Sequence, residues 1–295
     1  METSSLRHIL VATDLSDGAA HAVRRAAQLA REHHAQLTAV YVPSSAAPEK
    51  LRRSNALLAG HLNRCVGDTA VDDTAVGDTQ VDGVVRAGDI ASVVGAVAGE
   101  CDAELLVVGA HSGRLPIALL GSTAERLVGT SAAPVLVVRN PSDGPYRTVL
   151  LAVDTSPVSA SAARTAAAWT PGADHIVVHV SVVMGEQLMR MHGADDVGLA
   201  QLRRVSTEQA RSHLDEFAAT LIPEPADTRI ESGHAATRIP EIADEYRAEL
   251  IVVGTGERSA LEYAMLGSVA QYVLRYATTD VLVMPEGGSG SKSAV

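Results

Sequence analysis

The sequence predicts an α/β fold in which an open, mostly parallel, doubly wound sheet occurs twice along the chain. Three observations predict it. The chain of 295 residues contains an internal duplication, its strand-like runs alternate with helical patterns, and those runs are apolar throughout. Fully apolar strands are expected where helices cover both faces of a parallel sheet. Strands that alternate with helices are typical of βαβ units.

The two halves of the chain match each other both near their beginnings and near their ends. "RHILVATDLSDGAAHAVRRAAQLA" aligns with "RTVLLAVDTSPVSASAARTAAAWT", which pairs Asp14 with Asp154. Further along, "AELLVVG" matches "AELIVVG", "LLGSTAERLV" matches "MLGSVAQYVL", and "APVLVVR" matches "TDVLVMP" in the same order. Ordered matches of this kind indicate two copies of one structural unit. The stretch "RNPSDGPYR" between them has the Pro, Gly, Asp and Ser content of a linker.

Within the first half, strands and helices are predicted in strict alternation. The strands are 8–13, 36–42, 79–87, 104–108 and 134–138, and the helices are 16–33, 48–63, 90–100 and 122–130. The second half repeats this order, with a longer amphipathic helix near 198–221. Its apolar residues mostly share one face, namely Leu199, Leu202, Val205, Leu214, Phe217 and Leu221.

These elements predict the domain organisation. We expect a first domain over 1–140, a linker over 141–145, a second domain over 146–286 and a flexible tail over 287–295, whose "GGSGSKSAV" is typical of a flexible segment. The stretch from Val66 to Gly83 departs from the pattern, because a five-residue acidic repeat places valines at regular intervals. It is either a solvated low-complexity insertion before the third strand, which we favour, or an acidic recognition element.

Composition excludes several classes of function. A net charge of −11 argues against a broad contact surface for nucleic acid or an anionic membrane. Lys50 and Lys292 are the only lysines, which excludes a P-loop with its phosphate-binding lysine. Cys65 and Cys101 form no metal or redox spacing, and no apolar run has the length of a membrane helix. We therefore expect a cytoplasmic protein without a metal site.

The doubly wound topology predicts where a ligand binds. Ligands of such sheets bind outside the carboxyl ends of the strands, where the winding reverses. If the first and fourth strands flank that point, Asp14 meets Gly109 in one crevice, and Asp154 meets Gly254 in the other. An aspartate here can accept hydrogen bonds from a ribose, or it can start the next helix together with the following serine. The sequence leaves these two roles open.

The Gly-Ser pairs at the start of each fourth helix suggest an anion site. Free N–H groups and the positive end of the helix dipole favour phosphate at such a terminus. The alternative is structural, because Ser122 to Glu125 and Ser268 to Gln271 both match the capping box, in which the serine caps its own helix. We favour binding slightly for Gly121, Gly267 and their serines.

Taken together, these residues resemble the universal stress proteins in their tandem two-domain form. The resemblance extends from Arg7 to about Pro285. It rests on the openings "ILVATDLS" and "LLAVDTS", the strands "ELLVVG" and "ELIVVG", the turns "LGSTAER" and "LGSVAQ", and the closing strands "PVLVV" and "DVLVM". It implies two flavodoxin-like domains of five parallel strands in the order 3-2-1-4-5, paired through their last strands as an internal pseudo-dimer that covers an apolar sheet edge.

The resemblance also implies an ATP site. Nucleotide-binding members carry Gly, two residues, Gly, nine residues and then Gly-Ser or Gly-Thr, and they hold ATP with this loop, the first-strand aspartate and backbone after the second strand. In the first half the corresponding residues are Asp14, Val42, Gly109, Ser112, Gly113, Gly121, Ser122 and Thr123. In the second half they are Asp154, Val180, Gly254, Gly267, Ser268 and Val269.

Both loops depart from the family pattern. Glu257 occupies the second-glycine position of the second half, where its charge would oppose a phosphate. In the first half Ser112 occupies that position and the loop is one residue shorter, so Gly113 is the candidate replacement for the missing glycine. We expect the first half to be the better nucleotide site.

The function implied by the resemblance is that of a stress-response regulator that binds adenine nucleotide, ATP with or without Mg²⁺, in one or both halves. Self-association beyond the pseudo-dimer is compatible with it. No residue stands out as a catalytic base, so slow ATP hydrolysis is the most that we expect of it as an enzyme. The alternative is a nucleotide-independent interaction module in which both loops have lost binding.

Overall fold

The computed structural model of the protein describes residues 6–67, 81–110, 121–142, 144–154, 156–181, 208, 210–255 and 266–285. The first half contains β1 (His8–Thr13), α1 (Asp17–His33), β2 (Gln36–Tyr41), α2 (Pro48–Gly67), β3 (Val81–Val85), α3 (Ile90–Glu100), β4 (Leu105–Gly109), α4 (Ser122–Thr130) and β5 (Val135–Val138). The second half contains β6 (Thr148–Ala152), α5 (Pro157–Trp169), β7 (Asp174–Ser181), β8 (Asp227–Ser232), α6 (Ala235–Tyr246), β9 (Leu250–Gly254), α7 (Ser268–Tyr276) and β10 (Asp280–Met284).

The strands form one sheet in the order β3-β2-β1-β4-β5-β10-β9-β6-β7-β8. All pairings within a half are parallel, and each half has the order 3-2-1-4-5, as predicted. The halves join through β5 and β10, which run antiparallel with Leu136 opposite Leu282. These leucines are equivalent in the duplication, so a pseudo-twofold axis passes between them. The predicted internal pseudo-dimer is therefore confirmed, and the pairing covers the edge strand of each half.

Helices cover both faces of this sheet, each over its own apolar core. Alternate residues of a strand point to opposite faces. Accordingly Ile9 and Val11 belong to the core on the face of α1 and α2, and this core continues in the second half under α5 and the helical residues 210–218. Leu10 packs on the other face, in the core that includes α3, α4, α6 and α7. This two-sided burial explains why the strands are apolar throughout.

The predicted elements agree with the structure apart from their limits. α2 continues to Gly67, four residues past its predicted end, and β3 is shorter than predicted. Of the long helix predicted near 198–221, the described part is helical over 210–218, and Leu214, Phe217 and Leu221 are buried as expected. Residue 208 is also helical, and the helix ends at 218 rather than at 221. Residues 198–207 and 209 of that helix, residues 68–80 of the acidic repeat, and the tail lie outside the described residues. The domain limits stay predictions.

Candidate functional site

The carboxyl ends of β1 and β4 lie side by side. Ile9 to Ala12 pair in parallel with Leu105 to Val108, and β1 also pairs with β2 on its other side. The winding therefore reverses between β1 and β4, and Asp14 and Gly109 lie at the same edge of the sheet. The second half repeats this arrangement with β6 and β9, which places Asp154 and Gly254 at the equivalent edge.

Asp14 has both a structural role and a free oxygen. Its Oδ1 accepts a hydrogen bond of 3.0 Å from the Ser16 backbone N–H, and the Ser16 hydroxyl in turn caps α1 by accepting from Ala19 N at 3.2 Å. The helix-starting role considered from the sequence is therefore real. The Asp14 side chain is nevertheless exposed, and its Oδ2 accepts no hydrogen bond from the described residues.

Asp154 is held more tightly than Asp14. Its Oδ1 accepts from Ser156 N at 2.8 Å and from the Ser159 hydroxyl at 2.5 Å, while its own N–H donates to Ser159 Oγ at 3.1 Å. Partial burial raises the pKa of Asp154, but the hydrogen bonds from Ser156 and Ser159 outweigh it, so the net pKa lies below its ordinary value. In the first half, the position equivalent to Ser159 is Ala19. Asp14 therefore accepts fewer hydrogen bonds than Asp154 does.

The two strand-end glycines have different surroundings. A Cβ on Gly109 would lie 3.1 Å from the Gly18 carbonyl oxygen and 3.4 Å from Ala19 Cα, because the first turn of α1 crosses directly over β4. A Cβ on Gly254 would meet its nearest neighbours, Ser159 Cα and Val158 Cγ1, at an ordinary 3.5 Å. Gly109 is thus required by close packing of the fold, in addition to any role toward a ligand.

The two valines near the second strands occupy different places. Val42 follows the end of β2, as the resemblance implies, and its side chain is half-buried. Val180 lies within β7, opposite Glu231 of β8, because β7 continues further than β2 does. The second half therefore has strand where the first half has already left the sheet.

The capping-box alternative for the fourth helices is wrong. The N-cap residues are Gly121 and Gly267, not the serines, and neither helix has a side-chain cap hydrogen bond. Ser122 and Ser268 are the first residues inside their helices, where a hydroxyl no longer faces the orphan N–H groups of the first turn. A glycine at the N-cap has no side chain to accept from these N–H groups. Ser122, Thr123 and Ser268 are exposed, whereas Val269 is half-buried against the core.

Each loop before these helices is closed at its base by an equivalent backbone hydrogen bond. Gly121 N donates to Ala110 O at 2.8 Å, and Gly267 N donates to Thr255 O at 3.1 Å. The helix N-terminus is thereby held beside the carboxyl end of β4 or β9, next to the aspartate of the neighbouring strand. Ser112 and Gly113, and with them Glu257, lie outside the described residues.

The comparisons with known proteins agree with this geometry. The model of the universal stress protein family matches residues 5–139 and again residues 145–285. The chain belongs to the universal stress protein family. A universal stress protein from Mycolicibacterium smegmatis is 28% identical over 297 aligned positions, which cover 94% of this chain and 96% of that protein.

Solved structures show the same tandem fold. A universal stress protein from Archaeoglobus fulgidus superposes with a TM-score of 0.69 at 17% identity, covering 95% of this chain and 98% of that one. A protein of unknown function from Pseudomonas aeruginosa PAO1 gives a TM-score of 0.67 at 20% identity, with 96% and 94% covered. At such identities these two likenesses support the fold alone.

Several residues of this universal stress protein near the switch point were not predicted from the sequence. Leu15, between Asp14 and Ser16, has a φ of 67°, which is a strained left-handed conformation for leucine. His61 from α2 is buried with its Nε2 3.3 Å from Thr13 Oγ1 and 3.7 Å from Cys65 Sγ, and burial lowers its pKa. The sequence signal that could have indicated this contact is a histidine four residues before a cysteine on an amphipathic helix, because residues four apart lie on the same face.

The second half has an open pocket where the first half has His61. A pocket of about 360 Å³ lies beside the end of β6, lined by Val153 and Asp154, which follow that strand, and by residues of α5, β7 and the segment 210–220. Asp154, Arg164 and His179 supply polar groups, and Phe217 supplies an apolar wall. His179 Nδ1 lies 2.9 Å from the Val153 carbonyl oxygen, so this ring nitrogen carries the proton. The pocket is on the α5 face of the sheet, away from the α7 turn.

Two further properties concern the described residues only. No group of three or more His, Cys, Asp or Glu side chains among them is arranged to hold a metal ion. Within the same part of the chain, no helix combines the length and the apolar character needed to cross a membrane.

Proposed function

We propose that this protein is a stress-response regulator that binds an adenine nucleotide, ATP, at the switch-point crevice of one or both halves. The observation that carries the proposal is the uncapped N-terminus of α4, held beside the carboxyl end of β4 and next to Asp14. Free backbone N–H groups and the helix dipole attract phosphate. The Asp14 carboxylate, one strand away, supports the proposal because carboxylate oxygens accept hydrogen bonds from hydroxyl groups such as those of ribose.

The first half has the more favourable groups for this ligand. Each aspartate keeps its Oδ2 free of described partners, but Asp14 Oδ1 accepts only from Ser16 N, whereas Asp154 Oδ1 accepts from both Ser156 N and the Ser159 hydroxyl. Thr123 offers an exposed hydroxyl in the first turn of α4, while its equivalent Val269 packs into the core and has no donor. We therefore propose the first half as the stronger site.

Binding, rather than turnover, is the proposed activity. The groups that the first crevice offers are amide donors, two hydroxyls and one carboxylate that already accepts a hydrogen bond from Ser16 N. They are suited to holding a nucleotide, with Mg²⁺ accompanying its phosphates. Occupancy of this crevice would then be the signal by which the protein changes its association with a partner.

The test measures bound and added nucleotide. Freshly purified protein is denatured, and the released small molecules are identified by chromatography and mass spectrometry. ATP titrations by calorimetry follow, with Mg²⁺ present. We expect Asp14→Asn and Thr123→Val each to weaken ATP binding by about tenfold, because each removes one hydrogen bond worth roughly 1–1.5 kcal/mol.

The duplication supplies matched controls. Asp154→Asn makes the same change in the second half and should have a smaller effect, and Val269→Thr restores there the hydroxyl that the first half has. Equal losses from Asp14→Asn and Asp154→Asn would place equal sites in both halves. A protein that is purified empty and does not bind added ATP would contradict the proposal and favour the nucleotide-independent interaction module.

A further inference from the structure

The joint between the halves is different at its two ends. Around the pseudo-twofold axis at Leu136 and Leu282, each position of β5 has an equivalent in β10. The match of "APVLVVR" with "TDVLVMP" makes Asp280 the equivalent of Pro134. One end of the joint therefore contains a carboxylate, which is only 1% exposed, and the other end contains a proline.

Asp280 is satisfied mainly by groups from the other half. Its Oδ1 accepts from Arg139 N at 2.8 Å and from Asn140 N at 3.3 Å, both of which follow β5. Its Oδ2 accepts from the Tyr146 hydroxyl at 2.7 Å and lies 3.8 Å from Arg25 Nε. A buried carboxylate needs such partners, because its desolvation is otherwise uncompensated.

Arg25 of α1 is the positive member of this cluster. Its side chain is 6% exposed, and its guanidinium carbon lies 3.9 Å from the centre of the Tyr146 ring. Its Nη1 donates to Gly144 O at 2.8 Å and to Gln28 Oε1 at 3.2 Å. The first half thus contributes a buried cation, and the second half contributes the anion and the aromatic ring that receive it.

The described residues at the other end form no equivalent cluster. The duplication places Thr165 at the position of Arg25, Leu6 at that of Tyr146, and Pro285 at that of Arg139. None of these side chains is charged, and Pro285 has no N–H to donate. The surfaces that the two halves present to each other are therefore complementary rather than identical.

We propose that the cluster of Arg25, Tyr146 and Asp280 makes the joint selective for unlike halves, so that a first half pairs with a second half and not with another first half. Two first halves joined through β5 would bury two Arg25 side chains against Pro134 and Leu6. Two second halves joined through β10 would bury two Asp280 carboxylates against Thr165 and Pro285. Each like pair leaves a buried charge without the oppositely charged side chain that compensates it, which disfavours that pair.

The experiment lets the halves choose their partners. A specific protease sequence is inserted in the full chain between Ser142 and Asp143, and the folded protein is cleaved there. The cleaved protein is unfolded in urea and refolded by dilution, and native mass spectrometry then identifies the pairs by mass. We expect unlike pairs to exceed either like pair by at least about tenfold, since an unpaired buried charge is strongly destabilising.

Two variants of the cleavable protein make the result specific. Arg25→Met with Asp280→Asn removes both charges and should raise the share of like pairs toward that of random association. Glu125→Gln is the matched control, because Glu125 also bridges the halves, at 3.3 Å to Arg275, but both side chains are half-exposed. It should leave the distribution unchanged. Equal shares of like pairs in the native and the charge-free protein would overturn the proposal.

A measurement on the intact chain decides the matter if the cleaved halves do not refold. Urea unfolding midpoints are compared for Arg25→Met, Asp280→Asn and the double variant. We expect each single variant to have a lower midpoint than the double variant, because a single substitution leaves the remaining charge buried without its partner. Midpoint shifts that simply add in the double variant would show that the two charges are not coupled, and the proposal would fail.

Discussion

Gly109→Ala adds one methyl group at the point where α1 crosses β4. The new Cβ would lie 3.1 Å from Gly18 O and 3.4 Å from both Gly18 C and Ala19 Cα. All three are backbone atoms, which cannot rotate away as a side chain would. The turn is anchored by Ala19, Ala22 and Val23, which are buried in the sheet-facing side of α1. The helix must therefore shift by a few tenths of an ångström.

The expected cost follows from two opposing effects. Overpacking of a well-packed site costs about 1–3 kcal/mol. The change from glycine to alanine returns about 0.4–1 kcal/mol through the smaller entropy of the unfolded chain. We expect Gly109→Ala to lower the free energy of unfolding by roughly 1–2 kcal/mol. Gly254→Ala is the matched control, because its Cβ finds ordinary contacts at 3.5 Å and should be neutral or slightly stabilising.

Urea and thermal unfolding followed by circular dichroism measure the difference. At about 2–4 °C per kcal/mol for chains of this size class, the two variants should differ by several degrees in Tm, with Gly109→Ala the lower. Nucleotide binding by both variants reports the accompanying movement of α1. If Gly109→Ala proved as stable as Gly254→Ala, the close approach of α1 to β4 would not be the reason for the glycine.

Two further predictions concern local stability and pH. Ser156→Ala removes the hydroxyl that accepts from Ser159 N at 3.2 Å and should lower the free energy of unfolding by about 1 kcal/mol. The control is Pro157→Ala at the neighbouring exposed position, which removes no cap hydrogen bond and should lower it less. Equal losses of stability in the two variants would contradict the capping role of Ser156. His175 is fully buried, and burial lowers its pKa, so the folded state keeps it neutral while the unfolded state takes up a proton near pH 6.5. The contribution of neutral His175 to the free energy of unfolding should be fully present above that pH and should fall as the pH drops below it. His175→Leu should therefore make the free energy of unfolding less dependent on pH between pH 7.5 and 5.5. An unchanged pH dependence would exclude His175 as its source.

The architecture was predictable because its determinants are local and repeated. Apolar runs of strand length, helical patterns between them and the ordered matches of the duplication each lie within short windows. Together with the resemblance to the universal stress proteins they predicted the strand order and the pairing of the halves through their last strands, which the structure confirms. The meeting of Asp14 with Gly109 followed from this topology, since neighbouring parallel strands end at one edge.

Other features of the site could not be predicted from local pattern. The motif of Ser122 and Glu125 fits a capping box, but the direction in which the chain enters α4 makes Gly121 the cap residue. Similarly, the steric requirement at Gly109 depends on how closely α1 crosses β4 and is absent at Gly254. The steric requirement depends on distances of tenths of an ångström between segments that are far apart in the chain.

By itself, the sequence determined the class of fold, the tandem arrangement and the sheet edge at which Asp14 and Gly109 lie, because hydrophobic periodicity and repeated motifs specify these without knowledge of side-chain contacts. Only the tertiary structure decided how the two ends of the joint differ. Arg25, Tyr146 and Asp280 are unremarkable in their own segments, and they become a charge pair with an aromatic contact only when the joint brings them within 4 Å of one another. Complementary charges can be buried together when residues more than a hundred positions apart share one interface. The duplicated sequence does not indicate which end of the joint will contain them.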